Sequence, residues 1–85
     1  MNSNAAKSEE VVSVEIESMD RALNLISLIN DKASECEVIV TDGKNKVDGH
    51  SLLGVLSLIS ERNLSIYLKG LRKDTKIAKE VLSEF

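Results

Sequence analysis

Apolar and polar residues alternate along short stretches of this chain and recur at helical spacing along others. Val12, Val14 and Ile16 are separated by Ser13 and Glu15. That period of two predicts a strand with one buried face. The period then changes. Over residues 18–33, Ala22, Leu25, Ile26, Ile29 and Ala33 recur three and four apart, which predicts a helix; Leu23 and Leu28 widen its apolar stripe. Ser18 or Asp20 can cap its start, because a short oxygen side chain satisfies free N–H groups of the first turn.

Residues 36–41 are rich in β-branched side chains and predict a second strand. Asp42-Gly43 signals a hairpin, since glycine tolerates the positive φ that tight turns need. Residues 44–48 predict a short third strand, polar enough for a sheet edge. Residues 50–60 predict a short helix carrying Leu52, Leu53, Val55, Leu56, Leu58 and Ile59. Asn63 suits a left-handed residue after it. Residues 64–69 alternate again as a fourth strand, which Gly70 is expected to break. Residues 72–84 predict a last helix with Ile77, Val81, Leu82 and Phe85 on one side. The order β-α-β-β-α-β-α places the chain in the α+β class, one sheet with helices on one face. Residues 1–10 are polar and read as a flexible tail before a single domain at 11–85.

Composition narrows the function classes. A chain of 85 residues buries roughly 60–65% of its unfolded surface, enough for one modest core and too little for a deep cleft. Tyr67 and Phe85 are its only aromatics and its net charge is −3, so neither stacking platforms nor a cationic footprint point to nucleic acid. The single cysteine, Cys36, excludes an intrachain disulfide. No apolar run reaches the roughly 18 residues of a membrane span, and residues 1–10 lack the apolar centre of a signal peptide. A reducing cytoplasm is the simplest compartment.

Candidate chemistry is sparse. His50 and Cys36 are the one histidine and the one cysteine. A nucleophilic pair would need them to meet in space, whereas a small thiol at a strand start is more commonly buried packing. No zinc spacing and no phosphate-cradling glycine loop occur, so no metal, cofactor or enzymatic activity is expected. Lys69, Arg72, Lys73, Lys76 and Lys79 form a basic cluster, read as a solvated helix face with Lys76 and Glu80 as an i,i+4 pair. The apolar residues of 52–59 are the odd feature. At 100° per residue, Leu52, Leu53 and Leu56 fall on one side and Val55, Leu58 and Ile59 on another. One sheet covers only one of them. Neighbouring loops or a second copy can cover the other; an exposed leucine cluster otherwise marks a contact surface. Ser51 opens this helix, as an N-cap or as a site whose phosphate would change the charge beside the leucines.

The stretch Val47-Asp48-Gly49-His50-Ser51-Leu52-Leu53-Gly54-Val55-Leu56-Ser57-Leu58 resembles the hallmark of the HPr family, the phosphocarriers of the bacterial sugar phosphotransferase system, in which this place usually reads V-D-A-K-S-I-M-G-V-M-S-L. The resemblance extends over residues 11–85 and implies an open-faced β-sandwich with a four-stranded antiparallel sheet. In regulated members the motif serine is phosphorylated by an ATP-dependent HPr kinase, a role that the resemblance gives to Ser51. It also implies partner contacts at Leu52, Leu53 and Leu56. His50 replaces the family's lysine, and Asn63 its usual glycine. Phosphocarriers carry a G-L-H-x-R-P-like segment near the first helix, whose histidine accepts phosphate. Here the segment reads Glu17-Ser18-Met19-Asp20-Arg21-Ala22. Asp20 stands at or beside the phosphoacceptor place and Arg21 is a shifted counterpart of the arginine. Histidine phosphotransfer is excluded there by chemistry. The chain is similar in that respect to the catabolite-repression HPr-like protein, which keeps the regulatory serine and acts through binding.

Three functions follow as expectations. The first is a non-enzymatic regulatory or adaptor module, monomer or weak dimer, that binds a protein through Leu52, Leu53, Leu56 and Arg21, with Ser51 as a switch. The second is a phosphocarrier using Asp20 as acceptor, although such aspartates normally need Mg²⁺ and further carboxylates. The third is a structural subunit that retains only the fold.

Overall fold

The computed structural model describes residues 6–85. Seven elements follow in order: β1 (Lys7–Glu15), α1 (Met19–Lys32), β2 (Glu37–Thr41), β3 (Lys46–Asp48), α2 (Leu52–Leu56), β4 (Asn63–Leu71) and α3 (Arg72–Ser83). The strands form one antiparallel sheet in the order β1-β4-β2-β3. This is an α+β, open-faced sandwich with three helices.

Alternation decides which face of the sheet is covered. Val12 and Val14 of β1, Val38 and Val40 of β2, and Leu64, Ile66 and Leu68 of β4 all point to the buried side. They pack with Ala22, Leu25, Ile26 and Ile29 of α1 and with Ala78 and Leu82 of α3 into one core. The strand neighbours Val11 and Tyr67 project from the opposite face and are exposed. The apolar stripe read for α1 is therefore the stripe it buries, except that Leu23 lies exposed beyond its margin. Ser18 is the cap: its Oγ accepts the Arg21 N–H at 3.2 Å.

Five local expectations are corrected. β1 begins at Lys7, so residues 7–10 belong to the sheet rather than to a flexible tail; residues 1–5 of that expected tail lie outside the described residues. The polar start of β1 is held from above by α3. The Ser8 hydroxyl is hydrogen-bonded to the buried Thr75 hydroxyl, and Glu10 meets Lys79 at 3.0 Å. Lys79 thus pairs across to β1, and the ion pairs found among the described residues do not include the expected Lys76–Glu80 pair. Gly70 does not end β4; it sits in the ladder opposite Ser8. Asn63 is not left-handed, since among the described residues only glycines have positive φ; it opens β4 opposite Glu15. In α3 the buried positions are Thr75, Ala78 and Leu82, spaced three and four apart, while Ile77 points to solvent.

The β2–β3 hairpin keeps its expected turn. Gly43 takes φ +99°, a conformation that L side chains rarely adopt. The Asp42 carboxylate accepts the N–H groups of Asn45 (2.7 Å) and Lys44 (2.8 Å). These bonds, Asn45 first, hold its pKa below the usual aspartate value. The sign follows from linkage: a lowered carboxylate pKa contributes stability above the unfolded-state value and loses it as pH falls through the folded one. Titration by ¹³C NMR is expected to place the Asp42 midpoint below that of aspartate in a peptide of the same local sequence. Equal midpoints would contradict the turn geometry.

Candidate functional site: the Ser51 cap and the exposed face of α2

The chain leaves β3 at Asp48 and crosses over β2 through Gly49, whose N–H donates to the Val38 carbonyl at 2.8 Å. The close crossing requires glycine, because a Cβ there would overlap the Val38 side chain. Asp48 then organises the turn. Its Oδ1 accepts the His50 N–H (2.9 Å) and its carbonyl accepts the Ser51 N–H (3.0 Å). Ser51 is the N-cap of α2: its Oγ accepts the Gly54 N–H at 3.1 Å, and its carbonyl accepts the Val55 N–H at 3.0 Å. Gly54 lets this cap come close, since a Cβ would lie 3.1 Å from Ser51 Oγ and 3.3 Å from Val47 Cβ.

α2 is shorter than the expected 50–60. After Leu56 the chain tightens into i→i+3 bonds, Leu58 N–H to the Val55 carbonyl and Glu61 N–H to the Leu58 carbonyl. Ser57 Oγ also donates back to the Gly54 carbonyl at 2.6 Å, the kind of local bond with which serine competes with helix continuation.

The two sides read from the sequence are separated by the structure. Val55 is fully buried and Leu58 is 2% exposed, whereas Leu52 is 48% and Leu53 78% exposed. Leu56 and Ile59 are partly buried against the core. The outward face is thus Leu52 and Leu53, with Leu56 at its margin and Ser51, half-buried, at its start.

His50 has a defined place. Its Nε2 lies 3.0 Å from the Cys36 carbonyl and its Nδ1 3.0 Å from Asn30 Oδ1. Asn30 is itself oriented by donating Nδ2 to the Ile26 carbonyl at 3.0 Å. Each ring nitrogen faces an oxygen, so one donates in either neutral tautomer and both do in the imidazolium. The ring fastens the Ser51 turn to α1 and to the start of β2. His50 and Cys36 therefore do meet, but through the cysteine's backbone carbonyl. The buried thiol is pushed above its ordinary pKa by desolvation and then by the charges of Asp74 and Glu35, the opposite of what a nucleophilic thiolate needs.

Asp20 and Arg21 do not join this face. Asp20 is exposed in the first turn of α1. The Arg21 guanidinium stacks 3.8 Å above the Phe85 ring and donates through Nη2 to the Phe85 oxygen at 2.6 Å. It therefore ties α1 to the end of α3, so Arg21 sits on a different seam from Leu52 and Leu53. Among the described residues, no three His, Cys, Asp or Glu side chains are placed to hold a metal ion. Nor is any of their helices long and apolar enough to cross a membrane.

No protein-family model, curated protein or solved structure matches the chain. The site therefore rests on its own geometry. Two apolar residues of α1, Met19 and Leu23, are exposed as well. With Ile26 and Asn30 they occupy one narrow arc of α1, at spacings of four, three and four residues. Asn30 marks that arc as the side reaching the Ser51 turn. The helical spacing was present in the sequence, but the arc gains meaning only once α1 and α2 are known to be neighbours.

Proposed function

We propose that this protein is a non-catalytic, HPr-like regulatory or adaptor module of the cytoplasm. It binds a protein partner through Leu52 and Leu53, and phosphorylation of Ser51 switches that surface. The observation that carries the reading is the division of one apolar segment. Val55 and Leu58 anchor it in the core while Leu52 and Leu53 stand in solvent beside a serine hydroxyl. An exposed apolar cluster of this kind marks a contact surface. A phosphate on Ser51 would bring about −1.5 to −2 charges to its edge. The β-α-β-β-α-β-α order and the Val47–Leu58 motif support the same reading.

Incubation with HPr kinase and ATP is expected to place one phosphate on Ser51, located by mass spectrometry. Absence of label, or label that persists in Ser51→Ala, would remove the switch. Phosphoenolpyruvate with enzyme I is expected to leave the chain unlabelled. A hydroxylamine-sensitive label lost in Asp20→Asn would instead favour a phosphocarrier using Asp20.

A further inference from the structure

β1 is a sheet edge nine residues long, in register with β4 from Lys7↔Leu71 to Glu15↔Asn63. Edge strands are commonly protected by proline, bulges or charged side chains, and of these β1 has the charges of Lys7, Glu9, Glu10 and Glu15. This chain has no proline, and the ladder runs without a bulge. Two bonds fix which backbone groups face outward. The Ala6 carbonyl accepts from Arg72 N–H, and Ile16 N–H donates to the Arg62 carbonyl. In an antiparallel pair, inward-bonding residues alternate with outward-facing ones. Ala6 and Ile16 bond inward, so Ser8, Glu10, Val12 and Val14 do too. The N–H and C=O groups of Lys7, Glu9, Val11, Ser13 and Glu15 therefore point away from β4, and among the described residues no strand lies on that side.

We infer that this edge pairs with the same edge of a second copy of the chain, antiparallel, about a two-fold axis at Val11. That register sets Val11 against Val11, Glu9 against Ser13 and Lys7 against Glu15. All of these are outward-facing residues, so their N–H and C=O groups bond reciprocally. Their side chains lie on the open face of the sheet. There the exposed valines meet on the axis and each lysine meets a carboxylate. Moving the axis by one residue sets Glu10 against its own copy or Glu9 against Glu15, and like charges directly opposite destabilise a ladder. In the Val11 register no like charges stand directly opposite, and Glu10 is already engaged by Lys79 of its own chain.

The product is one continuous eight-stranded sheet, built from two four-stranded ones. Its α2 segments lie at the far ends, because α2 packs by β3, at the other edge from β1. The dimer thus leaves both Leu52–Leu53 faces open at opposite ends of the sheet, which makes it bivalent for whatever that face binds.

Sedimentation equilibrium of the full chain over a wide concentration range tests this inference. A reversible dimer is expected, and Val11→Asp is expected to be monomeric with an unchanged circular dichroism spectrum. Lys7→Glu and Glu15→Lys should each weaken self-association roughly tenfold, since each alters two symmetric pairs. Combining them restores opposite charges and should restore the dimer. A chain that stays monomeric up to millimolar concentration would overturn the inference. So would a dimer indifferent to Val11→Asp, or a double variant as weak as the single ones.

Discussion

Leu58→Ala is expected to destabilise the protein by about 3 kcal/mol, within the range of buried leucine truncations, while Leu53→Ala changes stability by less than about 0.5 kcal/mol, as exposed substitutions do. The two leucines lie five positions apart in one apolar run and are chemically identical. Their environments are not. Leu58 is 2% exposed, belongs to the core, and sits in the tight turn that returns the chain from α2 toward β4. Truncation removes its contacts and leaves a cavity that the neighbouring Val55 and sheet residues fill only partly. Leu53 is 78% exposed and has little to lose. Urea unfolding reads both as shifts of midpoint at constant slope. A large loss at Leu53 would mean that this side chain is a core residue and not a surface.

The second large effect belongs to Gly49. Gly49→Ala is expected to cost about 1–3 kcal/mol, the range for inserting an extra carbon into a packed interior. No backbone strain is involved; the obstacle is the Val38 side chain, which is 1% exposed and pinned beneath the Gly49–Val38 hydrogen bond. Combining Gly49→Ala with Val38→Ala is therefore expected to cost less than the two single losses added together, because the second change removes the Val38 Cγ1 that the added carbon would overlap and leaves the milder contact with Val38 Cβ at 2.9 Å. Gly43 offers the contrast. A Cβ there meets no atom within 4 Å, but φ is +99°, so Gly43→Ala should cost about 1–2 kcal/mol through conformation alone. Its loss should add to that of Val38→Ala without coupling. Additivity at Gly49 would contradict the close passage of Gly49 over Val38 of β2.

Much of this architecture was legible because its signals are apolar and local. Val12, Val14 and Ile16 could alternate in that way only as a half-buried strand, and the stripe through Ala22, Leu25, Ile26 and Ile29 has a single helical solution. The division of 52–59 into two faces was likewise legible from angles alone. The start of β1 was hidden because Ser8 and Glu10 are polar, and their places depend on Thr75 and Lys79, more than sixty residues away. Gly70 and Asn63 read as breakers because their local preferences favour turns, yet pairing with Ser8 and Glu15 keeps both in β4. Arg21 could be read as a surface residue because nothing local announces Phe85. The role of His50 depended on two partners from separate elements, Asn30 and Cys36, which the fold alone brings together.

The face of α2 is a surface set apart from the core that holds it, with Ser51 at its edge. The rate of Ser51 phosphorylation by HPr kinase tests it most directly when the parent protein is compared with Leu53→Asp, both verified as folded by equal unfolding midpoints. Ser51 is expected to be labelled in the parent. Labelling in Leu53→Asp is expected to be at least roughly tenfold slower, the loss expected when a central apolar contact of an interface is removed. No label on Ser51, or equal rates in the two proteins, would contradict a contact surface switched at Ser51.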